Sequence, residues 1–257
     1  MFGLTEHQLA VANRALDRES EARRHLVISL SGAHAYGFPS PDSDLDLKAI
    51  HIAPTSRLVG LSSASTTADR LEVVEGVEID YTSNELGPVL AGILGGNGNY
   101  AERILGPMAM RESPELTSLR PVVERALSRR LHRHYRGFAR GQLAEFDAAA
   151  EPTAKKLLYV LRTALTGVNV LRGGGIVTDV TALYDRDGFG AAAELVQRKR
   201  AGERIALDEP MRVRWRAEVE RAFALLDEAH DQSPLPAEPA NAAEVEAWLL
   251  EVRRQNW

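Results

Sequence analysis

The sequence predicts an α+β fold in which a small sheet comes first and helices follow. Two stretches, DLDLKAIHIAP from Asp44 and LEVVEGVEIDYTS from Leu71, alternate polar and apolar residues as half-buried strands do. After Pro114 the apolar residues recur at helical spacing almost to the end of the chain.

Taken in order, residues 5–24 read as an amphipathic helix with Leu9, Val11, Ala12 and Leu16 inward. Residues 25–31, HLVISLS, read as a buried strand, because the apolar run is too short for a helix of its own. SGAHAYGFPSPDS, rich in Gly, Pro and Ser, reads as a loop with one helical turn. The strand from Asp44 stops at Pro54. A polar stretch, residues 62–70, leads to the second alternating run, which Gly76 folds into a hairpin. Residues 84–94 and 100–105 look helical. Between them GGNGN is a linker or a substrate loop. Helices are expected over 115–146, 154–171, 189–201 and 210–230, and over 244–253 after a proline-rich connector. The change of pattern places a domain boundary between 111 and 121.

Length and composition narrow the function. With 257 residues the chain can bury one large core or two smaller ones. Hydrophobic residues at 44% and charged residues at 26% are those of an ordinary globular protein. No apolar run approaches the roughly 20 residues needed to span a bilayer. Residues 1–24 lack the pattern of a signal peptide, so a cytoplasmic protein without a membrane partner is expected. The absence of cysteine excludes disulfides, thiolate zinc sites and cysteine nucleophiles. A net charge of −5 argues against a protein that coats nucleic acid non-specifically. Any nucleic-acid role must rest on a local patch.

The chemistry-bearing residues are carboxylates. Asp44 and Asp46 are two apart on a strand and so point the same way, while Leu45 and Leu47 point into the core. Side by side they repel unless a cation sits between them. A hard divalent ion with oxygen ligands suits that pair. Asp80 closes a strand in which Val77 and Ile79 face in and Glu78 and Asp80 face out. If that strand lies beside the first, three carboxylates can hold two metal ions for an in-line phosphoryl displacement. Spacing alone favours a solvated strand face, since thirteen aspartates yield about one such pair by chance. Asp185 and Asp187, in YDRDG, are a decoy of that kind and read as a turn, and Asp42 falls in the loop. The Ser31–Gly32 corner at the preceding strand end adds to the carboxylates. Glycine there lets backbone N–H groups approach a phosphate, although on its own it would serve equally to close a tight turn.

LSGAHAYGFPSPDSDLDLKAIHI resembles the signature of the DNA polymerase beta-like nucleotidyltransferases, in particular their RNA-repair-associated branch. Tyr36–Gly37 fill its aromatic-glycine pair, and Pro41, Ser43, Asp44, Asp46 and Lys48 follow in order. VEIDYTSNEL is similar to the strand of the third acid. Lys155, Lys156, Tyr159 and Arg162 in KKLLYVLR are similar to a helix of the family. The resemblance spans residues 26–172. It implies a nucleotidyltransferase palm, a small mixed sheet with flanking helices, as a catalytic domain over 1–115. A mostly helical domain over 116–257 would contribute to nucleotide and acceptor binding. It implies a nucleoside triphosphate substrate and Mg²⁺ or Mn²⁺, two ions, on Asp44, Asp46 and Asp80. The nucleotide would meet Ser31, Gly32, Ser43, Lys155, Tyr159 and Arg162. Ala33 departs from the family's serine and His34 from a position often basic, which removes one phosphate contact.

One helical stretch, SRRLHRHYRGFAR, concentrates arginine. It is either a flank paired with nearby acids or a patch for a polynucleotide, with Arg130, Arg133 and Arg136 as candidates for the acceptor. His132 and His134, two apart, do not meet on a helix and make no metal site. The expected reaction moves a nucleoside monophosphate from the triphosphate to a hydroxyl, at an RNA or DNA 3′ end. A protein or small-molecule acceptor, or a catalytically silent nucleotide-binding module, are the alternatives.

Overall fold

The computed structural model describes residues 3–61, 65–202 and 206–257; residues 62–64 of the expected polar stretch lie outside these. The elements in chain order are α1 (Glu6–Ala22), β1 (His25–Leu30), α2 (Gly32–Ala35), β2 (Leu45–His51), α3 (Thr55–Val59), β3 (Thr67–Val74), β4 (Val77–Glu85), α4 (Leu86–Leu94), α5 (Gly98–Leu105), β5 (Ala109–Glu112), α6 (Pro114–Ala126), α7 (Leu131–Ala148), α8 (Ala154–Leu171), α9 (Ala193–Ala201), α10 (Glu209–Asp231) and α11 (Ala242–Gln255). They form two compact units. One comprises Met1–His34, Asp44–Leu127 and Glu238–Trp257, and the other Ala35–Ser43 and Ser128–Ala237. The sequential division at 115/116 does not coincide with these units. The long helix expected over 115–146 is broken at Leu127, whose backbone is extended.

The first unit is an α+β sandwich around a five-stranded sheet in the order β3-β4-β2-β1-β5. β2 and β4 run parallel, and the other pairs are antiparallel. Alternation sends Leu45, Leu47, Ile79 and Tyr81 to one face, where they pack with Val11, Ala12 and Leu16 of α1. The helix α1 starts at a capping box between Thr5 and Gln8. On the other face Val27, Ile50 and Ile52 pack with α4, α5, α6 and α11. The short edge strand β5, pairing with β1, has no alternating pattern and escaped the sequence reading.

Helix α11 belongs to this unit. Val245 and Val252 enter the second core, and the Trp248 indole donates to Ser118 at 3.0 Å. Arg253 pairs at 2.7 Å with Glu85, whose side chain is 1% exposed. The same carboxylate caps α4 by accepting from the Gly87 N–H at 2.7 Å. Arg253→Ala would leave that charge buried without its partner, and is expected to cost about 3–5 kcal/mol in urea unfolding. Arg253→Lys is expected to recover part of it. A loss below about 1 kcal/mol for the alanine variant would show that water replaces the guanidinium.

The second unit is built around α8, every residue of which from Leu157 to Leu171 is buried except Tyr159. At Gly167 side chains of both α7 and α10 press close to it. A Cβ there would stand 2.7 Å from the Tyr135 Cβ and 2.8 Å from the Leu226 Cδ1, so glycine permits the crossing.

Candidate active site

The carboxylates come together because of strand register. Asp46 on β2 and Asp80 on β4 are direct partners across the parallel pair. Both side chains leave the sheet on the face opposite Leu45, Leu47 and Ile79. Asp44 precedes β2 by one residue, and its negative charge acts on Asp46. The Asp46 carboxyl is pushed up to about 6, first by burial, then by Asp44, with Asp80 adding to the rise and Lys48 opposing it.

Lys48, two residues along the same strand, reaches back over the acids. Its ammonium donates to Asp80 Oδ2 at 2.8 Å and lies 3.6 Å from Asp46 Oδ1. Among the described residues no group of three or more His, Asp or Glu side chains stands arranged to hold a metal ion. The chemistry of the donors nonetheless fits a divalent cation. They offer hard oxygens from three acids, crowded enough that one carboxyl holds its proton into the mildly acidic range.

The corner at Ser31–Gly32 is locked to this cluster. The Ser31 N–H donates to the Asp46 carbonyl at 2.8 Å. Gly32 has φ +61°, and a Cβ added there would land on the Asp46 carboxylate oxygen Oδ2. The glycine is therefore required twice, for its left-handed backbone and for the space it leaves to Asp46. Ala33 is buried.

The remaining nucleotide candidates lie in the second unit and are more enclosed than a solvated helix face would be. Arg162 is 1% exposed, with its guanidinium 3.8 Å above the Tyr36 ring. Tyr159 meets Tyr36 and Phe38 edge-on, each at 5.6 Å between ring centres. This face of α8 thus supports the Tyr36–Gly37–Phe38 turn. Lys155, one turn earlier, is half-buried. The Ser43 hydroxyl is buried and accepts from Lys199 at 2.5 Å. Lys199 also donates to Ser40 at 2.6 Å, and Ser40 in turn to Asp42 at 2.6 Å. This fully buried lysine clasps the loop that runs directly into Asp44. It was not legible beforehand, because it sits in QRKRA, which has the look of a solvated basic helix end.

Of the three acceptor candidates, Arg136 is engaged internally. It donates to Asp227 at 3.0 Å and lies 4.3 Å over the Phe223 ring, and His132 bonds the same carboxylate at 2.8 Å. Arg130 and Arg133 line a cavity of about 370 Å³ together with Arg129, His132 and His230. Asp185 and Asp187 fall in a turn, as their spacing with glycine predicts.

Comparison with known proteins adds three findings. The family model for the RNA repair pathway DNA polymerase beta family matches residues 10–251. An uncharacterized protein of Methanocaldococcus jannaschii is 26% identical over 231 residues, covering 86% of this chain and 91% of that protein. A nucleotidyltransferase-like protein from Exiguobacterium sibiricum 255-15 aligns over 96% of this chain and 80% of its own, at 11% identity and a TM-score of 0.35, a likeness too slight to carry an argument.

Proposed function

The chain belongs to the RNA repair pathway DNA polymerase beta family, and from that premise we propose that it transfers a nucleoside monophosphate from a nucleoside triphosphate to the 3′ hydroxyl of an RNA or DNA end. The observation that supports this reading best is the pairing of Asp46 with Asp80 across β2 and β4, with Gly32 backed against the Asp46 carboxylate. In the reaction the acceptor oxygen forms a bond to the α-phosphorus, the bond to pyrophosphate breaks, and the hydroxyl proton leaves.

Asp44, Asp46 and Asp80 would hold Mg²⁺ or Mn²⁺, two ions, which when bound neutralise the attacking and leaving oxygens. Asp80, more exposed than Asp46 at 42% against 17%, would take the acceptor's proton. Gly32, whose missing Cβ leaves its space to the Asp46 carboxylate, would keep that acid in place beside the triphosphate. Ser31 completes that corner. Within the second unit, Tyr159 and Arg162 act through the Tyr36 turn they support, and Lys155 is the positive charge that precedes them on α8. Arg130 and Arg133, with Arg129, would hold acceptor phosphates, which their side chains can do without base preference.

The test incubates the protein with each labelled nucleoside triphosphate, Mg²⁺ or Mn²⁺, and separate pools of RNA, DNA and protein. Label is expected in nucleic acid, with Asp44→Asn/Asp46→Asn inactive. Arg130→Glu/Arg133→Glu is expected to weaken oligonucleotide binding about tenfold or more and to flatten its salt dependence. Label in the protein pool alone would move the acceptor to a protein hydroxyl. Label in no pool, with triphosphate still bound, would make the chain a silent binding module.

A further inference from the structure

We propose that Lys48 is a built-in counter-ion for the acid cluster, which holds Asp80 while no metal is bound and must be displaced when a divalent ion takes that carboxylate. The inference rests on the reading of Asp44, Asp46 and Asp80 as metal ligands and deepens it: Lys48 sets the affinity of the cluster for metal.

Position comes first. Lys48 shares a strand face with Asp46, and its own partner on β4 is Thr82, two residues beyond Asp80. A side chain leaving the sheet straight outward would stand over Thr82. Instead the ammonium bends back along the strand to Asp80, taking both its carboxylate oxygen at 2.8 Å and its backbone carbonyl at 3.4 Å. It stops 3.6 Å from Asp46. The charge therefore occupies the space between two carboxylates, where a shared cation would sit.

Charge and exposure then say what it does there. An ammonium is a compact point charge on a flexible stem. It satisfies a crowded carboxylate, yet it cannot bind several carboxylates in one coordination sphere as a divalent ion does. Side-chain exposure is 18% for Lys48, 17% for Asp46 and 42% for Asp80. The contested carboxylate is thus the open one, and an incoming ion meets Asp80 from solvent without first unpacking the core. While the lysine remains, two cations compete for one oxygen, and the metal binds only after the stem swings aside. Removing the charge leaves three acids with no resident cation, so metal affinity rises.

The experiment measures Mn²⁺ binding by electron paramagnetic resonance, without nucleotide, in the natural protein, Lys48→Met, Lys48→Arg and Lys48→Met/Asp80→Asn. Lys48→Met is expected to bind Mn²⁺ at least about tenfold more tightly, since one like charge beside the ion is gone. Lys48→Arg is expected to stay within about threefold of the natural protein. The double variant is expected to lose the gain, because the freed carboxylate is no longer there. Lys48→Gln repeats the measurement with a polar side chain if methionine perturbs the strand. Equal affinities, or weaker binding in both neutral variants, overturn the role of Lys48 and leave the metal reading standing. No bound Mn²⁺ in any of the proteins overturns both.

Discussion

Gly32→Ala is expected to lower nucleotidyl transfer about a hundredfold or more while the protein still folds. The added methyl would occupy the position of the Asp46 Oδ2 atom, so the carboxylate must turn away. Misplacing a reacting group by about 1 Å is enough to cost that much rate. The left-handed backbone at φ +61° adds a penalty of roughly 1–2 kcal/mol for a residue with a Cβ. Steady-state rates and a thermal melt of the same sample separate the two effects: the rate falls by orders of magnitude and the melting temperature by only a few degrees. A variant that keeps a third of the rate would mean that the carboxylate of Asp46 has no fixed place in the reaction.

Asp46→Asn is expected to do two opposite things, abolishing transfer and stabilising the metal-free protein. In the folded chain this carboxyl titrates at about 6 rather than 3.8, chiefly because it is buried and then because Asp44 is beside it. Between those two values the native state holds more proton than the unfolded state. Stability therefore falls as pH rises from near 4 to near 6, and the full penalty stands above that. Removing the charge should return about 2 kcal/mol at pH 8 in the presence of a chelator. The gain should shrink below pH 6 and vanish near pH 4. Thermal melts of both proteins at the two pH values check this. A variant less stable than the natural protein at pH 8 would show that the attraction of Lys48 outweighs burial and repulsion together. Under the proposed function, the same crowding that weakens the free protein would give a divalent ion its hold.

Much of the acid edge was legible because period-two alternation is a strong signal. Asp44, Asp46 and Asp80 could be assigned to one face from their neighbours Leu45, Leu47, Val77 and Ile79, and the hairpin at Gly76 followed from a single glycine. What alternation cannot express is which strands pair. The parallel β2–β4 register depends on tertiary packing, as does the reach of Lys48 from beside Thr82 back to Asp80. Strand β5 is short and lies at an edge, so it carries no pattern. Helix α8 was placed to the residue, yet the environment of its polar face was not. Arg162 and Tyr159 look like surface residues in sequence and are enclosed by Tyr36 and Phe38, which lie more than a hundred positions earlier in the chain. Lys199 is the extreme case, since nothing in its basic surroundings sets apart the lysine that is fully buried.

Because the polypeptide leaves the sheet-bearing unit after His34, rejoins it at Asp44, departs again after Leu127 and returns at Glu238, no single scission yields either unit intact. A fragment ending at residue 127 would lack Val245 and Val252 over its apolar face, and would carry Ser40 and Ser43 without the ammonium that ties them. Expression of this protein in halves divided at residue 127 thus interrupts both bodies at once, whereas an insertion near residue 115 falls within the sheet-bearing unit alone.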